Sequence, residues 1–230
     1  AGGASWRAGF RAVPGLVRDA AAHSRANPRL LLLMAASFIT GLAVMGLEAL
    51  WQPFFAALPA LDRAAPPTPL LGVIMAGSFL AGMGGNLLSV PLSRRLGGRY
   101  GRVAALASLL KGAALLALAL SGALLPAAGF FWLVYLAGGL GLSPHATLLN
   151  EEIPAARRSA MLSVQSLAAY LGGFLGGAGL GYVADHASIS LAWLLGGALT
   201  VVSLLPYLIL DARRAQPEDT RGLDSLLERS

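Results

Sequence analysis

Residues 158–185 read RSAMLSVQSLAAYLGGFLGGAGLGYVAD, with no charge between the two ends. Stepping by three or four from Ser159 collects Ser163, Ser166, Tyr170, Gly173, Gly177 and Gly181, which share one side of a helix with about 3.6 residues per turn. Leu, Ala, Val and Phe fill the opposite side. So apolar a helix belongs in a bilayer, and its edge of small and hydroxyl residues predicts close approach by, or sliding against, other helices.

Long uncharged or nearly uncharged runs recur along the chain and predict five more spans, at 30–58, 69–92, 103–125, 128–149 and 189–210, with 159–183 as the fifth of six. The proline-rich AAPPTP at 64–69 separates the first two. Residues 112–150 carry no formal charge, and at about 1.5 Å per residue they are about twice as long as a bilayer core. That run must turn, and 126–129, which holds Pro126 and Gly129, is the predicted place.

Composition agrees with a polytopic membrane protein and excludes an ordinary soluble domain: 56% of the 230 residues are hydrophobic, 12% are charged, and the mean hydropathy is +0.68. The net charge of +6 matters through its placement, and with six spans it does not point to nucleic acid. There is no Cys, and three scattered His make no metal set, so neither a metal nor a cofactor is expected. The first residue is Ala, and the chain reads as a piece of something longer.

Fifteen of the 17 Lys and Arg fall on one side of this topology: five before residue 30, four in 93–102, two between the fourth and fifth spans, and four after residue 210. The other side has Arg63 alone, and Lys111 lies within a span. The positive-inside rule then puts both termini in the cytoplasm, which predicts a multi-pass protein of the cell (inner) membrane of a bacterium. Residues 1–29, with Trp6, Phe10, Val13 and Val17 opposite arginines, predict a basic amphipathic segment that either lies on the membrane or links domains. Residues 30–210 form the membrane domain and 211–230 a cytoplasmic tail.

A basic linker, six spans and the loop LSRRLGGRYGR together resemble the C-terminal half of a major facilitator superfamily transporter. The loop is similar to that superfamily's signature between its second and third helices, carried here by Arg94, Arg95, Gly97, Arg99 and Arg102, with Arg94 where the signature has an acidic residue. GLEALWQPFF and NEEIPAARRSAMLSVQS look similar as well. The resemblance implies an all-α membrane fold of two three-helix repeats, half of a twelve-helix protein, in which the first and fourth spans line a cavity. It also implies that the second and fifth form gates and that the third and sixth are peripheral. Gly82 and Gly85 in the second span, with Ser78, Asn86 and Ser89, and Gly173, Gly177 and Gly181 in the fifth, are then the expected packing and gating positions.

Glu48 is the one acid inside a span, on a stripe with Ser37, Gly41 and Gln52. An intramembrane carboxylate points to proton or substrate handling, because its protonated form enters an apolar phase at lower cost. Eighteen residues past Leu30, it also suits the outer interface beside Trp51. Lys111 reads as a cation that binds an anionic substrate or, preferably, one that snorkels back to the cytoplasm. Pro144 predicts a broken fourth span near Ser143, His145 and Asn150, and broken spans mark transporter sites. Asn86, Gln165 and Tyr170 complete the candidate substrate and proton pathway. Glu151, Glu152, Arg157 and Arg158 read as a solvated loop in preference to a gating pair.

The expected function is a non-enzymatic one, proton-coupled efflux of small amphiphilic molecules. The expected partners are the bilayer, a small-molecule substrate, and either a missing N-terminal half or a second copy. A six-helix scaffold is the alternative. An intramembrane serine protease is remote, since Ser143 has no His in the fifth or sixth span as a base.

Overall fold

The computed structural model describes residues 27–58, 68–154 and 158–212; the expected amphipathic segment and tail lie outside this range except at their edges. Every regular element among the described residues is an α-helix: α1 (Pro28–Ala56), α2 (Thr68–Arg95), α3 (Tyr100–Ala119), α4 (Leu124–Glu152), α5 (Arg158–His186) and α6 (Ile189–Val202). After a turn at Ser203 the helix resumes, so the sixth span reaches Ala212. Pro206 accounts for the turn, because it has no N–H to donate to the carbonyl of Val202. All six are long and apolar enough to cross a membrane, which makes this a multi-pass membrane protein.

Local chemistry sets the helix ends. Asn27 caps α1 by accepting from the amides of Arg29 and Leu30 at 3.0 and 3.3 Å, with Pro28 in the first turn where its missing N–H costs nothing. Ser188 caps α6 through the Leu191 amide at 3.1 Å. Between α2 and α3 the chain reverses through Gly97 and Gly98, at φ +65° and +74°. Both are left-handed conformations that a side chain disfavours, and the Gly98 amide reaches back to the Ser93 carbonyl at 2.9 Å.

Two sequence expectations are corrected. The turn between the third and fourth spans falls between Ala119 and Leu124, not at 126–129. Pro126 is tolerated in the first turn of α4, where no intrahelical bond needs its N–H, and Ser121 and Gly122 serve as the turn residues. Nor does Pro144 break the fourth span, because α4 is helical from Leu124 to Glu152 with Pro144 inside it. The loss of one backbone bond there is tolerated by a membrane helix packed among neighbours.

The principal packing partners are α1 with α5, α4 with both α2 and α3, and α6 with α3 and then α1. Glycine lets these backbones touch. A Cβ on Gly41 would run into the carbonyl of Ala169, and one on Gly172 or Gly176 into the carbonyls of Phe38 or Leu42, so α1 and α5 lie in backbone contact. Across α2 and α4, Gly85 faces the Leu136 carbonyl and Gly139 the Gly82 carbonyl. Across α3 and α6, Gly112 and Gly197 each meet the other's carbonyl.

Each end of the bundle is tied differently. At one end an aromatic cluster joins α1, α4 and α6: Phe131 lies 5.6 Å from Trp51 and 5.5 Å from Phe55, and Phe54 lies 4.4 Å from Trp193. Trp51 is therefore buried in the core and not an interfacial anchor. At the arginine-rich end, Arg99 and Arg102 converge on Asp211 at 3.1 and 3.0 Å, and Arg29 and Asn27 reach Glu152 at 3.4 and 3.1 Å. Asp211, at the end of the sixth span, thus pairs with the loop between α2 and α3, and Glu152 belongs to a contact between α1 and α4, not to a solvated loop. Arg94 and Arg95 stay exposed in the last turn of α2, where positive charge complements the helix dipole.

The Asp211 clasp yields a stability prediction. Its arginines are partly exposed, so screening limits its worth to about 1 kcal/mol. Asp211→Asn is expected to lower the thermal midpoint by about 2–4 °C at low salt. The difference from wild type should shrink in about 1 M salt, and a salt-independent difference would assign the loss to packing.

Candidate functional site

A cavity of about 290 Å³ opens within the bundle, walled by α1, α3, α4, α5 and α6. Most of the wall is apolar, from Val44, Ala104, Ala107, Ala137, Leu142 and Ala169. Ser37, Thr40, Ser108, Lys111, His145, Gln165 and Tyr207 add polar groups. The third and sixth spans, implied by family position to be peripheral, therefore contribute to the wall, and α2 does not. Lys111 corrects the snorkelling expectation, since its side chain borders the cavity and a Cβ on Gly138 would stand 3.9 Å from Nζ. Its helix packs against both α4 and α6, which turns this face inward.

His145 and Gln165, proposed separately from the sequence, meet in one network with Ser37, which the sequence placed only on the Glu48 stripe. Gln165 Nε2 donates to Ser37 Oγ at 3.0 Å, and Ser37 Oγ donates to the Leu33 carbonyl at 3.1 Å. The serine has a single proton, so His145 Nε2, 3.1 Å away, is the donor in their contact. Nδ1 then accepts from the Tyr207 hydroxyl at 2.9 Å. This pattern gives both hydroxyls and the ring N–H an acceptor, and it corresponds to the neutral Nε2–H tautomer of His145. Four helices are joined by it, and Tyr207 is the member that sequence reasoning missed. Only its position one face along α6 from Ser203 signals it.

The other candidates are dispersed. Glu48 Oε1 accepts from the Tyr135 hydroxyl at 2.6 Å, joining α1 to α4. Ser143 donates to Asn86 Oδ1 at 2.9 Å, so its hydroxyl is bonded to α2 and not to a histidine. Gln52 is exposed. Tyr170, 74% exposed, lies with Ser163 and Ser166 along an open groove on the outside of α5. On that helix the tight edge is Gly172 and Gly176; a Cβ on Gly173 would be in ordinary contact with the Met45 side chain and the Gly41 carbonyl, one on Gly177 would meet only the Met45 side chain, and one on Gly181 would meet nothing within 4 Å.

No protein-family profile, curated protein or solved structure matches the chain.

Proposed function

We propose that the chain is the C-terminal six-helix half of a secondary transporter of the major facilitator type. In this proposal it carries small amphiphilic molecules out of the cell by alternating access in exchange for protons. Both termini face the cytoplasm of a bacterial inner membrane, and the chain works with an N-terminal half or a second copy of itself. The observation that carries the proposal is the cavity: an apolar bundle encloses a pocket whose polar groups come from five separate spans, an arrangement suited to a solute that is partly apolar.

Two further features support it. Pairing α1 with α4, α2 with α5 and α3 with α6 exchanges one set of helix contacts for the other. Gly41 on Ala169 and Gly172 on Phe38 have their counterparts in Gly139 on Gly82 and Gly85 on Leu136, and the mutual contact of Gly112 and Gly197 maps onto itself. That correspondence favours two three-helix repeats of inverted topology. Moreover, α2 and α5 turn large apolar side chains outward, among them Phe79 and Phe174 at 65% and 72% exposure, on the two helices the family assigns to contact between halves.

The chain lacks cysteine, so a single introduced thiol tests alternating access directly. Ser108→Cys is nearly isosteric and lies on the cavity wall. In right-side-out and inside-out vesicles it is expected to react with a membrane-impermeant maleimide from both sides. Labelling from one side alone would count against a carrier.

A further inference from the structure

We infer that the substrate carries a single negative charge on an apolar body, and that Lys111 is the residue that receives the charge. This rests on the proposal that the cavity is the substrate site. Lys111 stands eleven residues into α3, about 16 Å from its start and so near mid-membrane, with its side chain on the cavity wall. An ammonium at that depth needs acceptors for three N–H donors. Among the described residues, no carboxylate lies within 4 Å of it and no oxygen takes a hydrogen bond from it. Of the polar groups nearby, Glu48 accepts from Tyr135, and the His145 ring is held between Ser37 and Tyr207. What the lysine lacks is an anionic acceptor inside the cavity.

Size and charge narrow the class. At about 290 Å³ the cavity is at the small end of ligand pockets, room for a head group and about one ring. Its walls beyond the lysine are methyl and methylene groups of Val44, Ala104, Ala107, Ala137 and Leu142, which suit hydrocarbon. One ammonium balances one charge. That balance and the hydrocarbon wall favour an organic monoanion such as a carboxylate or sulfonate over inorganic phosphate and dicarboxylates. This narrows the amphiphile expected from the sequence to one sign of head group.

Equilibrium binding to the chain in lipid nanodiscs tests this, with protein-free nanodiscs subtracted. The probes are 4-phenylbutyrate, 4-phenylbutan-1-ol and 4-phenylbutylammonium, which share one body and differ in head group. The carboxylate is expected to bind at least about tenfold more tightly than the alcohol, in line with a hydrogen bond to a charged group, and the ammonium most weakly. Lys111→Gln should abolish the preference for the carboxylate over the alcohol, whereas Lys111→Arg should keep it. Equal affinities in the wild type, or a preference that survives Lys111→Gln, would overturn the inference. If Lys111→Gln does not fold, the wild-type ranking of the three probes decides alone. Absence of charge preference together with two-sided labelling at Ser108→Cys rejects the anion and keeps the carrier; charge preference with one-sided labelling does the reverse.

Discussion

Gly176→Leu is expected to separate α1 from α5 and to destabilise the bundle by at least about 3 kcal/mol, while Gly179→Leu, on the same helix, stays within about 0.5 kcal/mol of wild type. A Cβ at 176 would meet the backbone of Leu42, which has no rotamer to yield, and the remaining leucine atoms would have to enter the same space. At Gly179 a Cβ would meet nothing within 4 Å. Helix association in a bilayer relies on this kind of close backbone packing, because lipid tails compete on equal terms for leucine surface. Unfolding of the two variants by SDS in bicelles, followed by circular dichroism, measures the difference. Equal midpoints would mean that the α1–α5 seam is looser than its geometry. Gly177→Leu is expected to fall between the two, since the Met45 side chain in its way can rotate.

That ordering marks the limit of what residues 158–185 reveal by themselves. The sequence says that α5 is a membrane helix with a small-residue edge, and its bounds agree within two or three residues. It does not say which edge. Glycine stands at 172, 173, 176, 177, 179 and 181, so more than one face is smooth, and a step of three or four from Ser159 selects the stripe through 173, 177 and 181. The packed edge is one residue earlier, because its phase is set by Gly41 and Phe38 on α1, more than 120 residues away in sequence. The glycines consequently fasten α5 to α1, and the face left open carries Tyr170, Leu171 and Phe174. The helix, expected to pack on or slide against its neighbours, packs on α1 through Gly172 and Gly176.

Span number and span type were legible for a related reason: hydropathy is local, whereas pairing is not. Glu48 and His145 were visible as polar residues at membrane depth, but their partners Tyr135 and Tyr207 are amphipathic residues in otherwise apolar runs, indistinguishable in the sequence from ordinary packing aromatics. Lys111 shows the same limit with the opposite outcome. Its depth was readable from the helix rise, but whether it faced lipid or the interior depended on α3 packing between α4 and α6. Asp211 is similar, an acid that reads as the start of a tail until α6 brings it to the arginines of the loop between α2 and α3.

Glu48→Gln is expected to abolish proton-coupled flux without disturbing the fold. The amide oxygen of glutamine can still accept from the Tyr135 hydroxyl, so the link between α1 and α4 is retained. What is lost is a group that can take up and release a proton. The variant is held permanently in the uncharged condition and should bind substrate but fail to exchange it for protons. In proteoliposomes carrying a pH gradient, coupled transport is expected to fall at least about tenfold while substrate counterflow without a gradient persists. Coupled transport at the wild-type rate would remove Glu48 from the proton path; loss of counterflow as well would show that the carboxylate is needed for the conformational cycle itself and not for coupling alone.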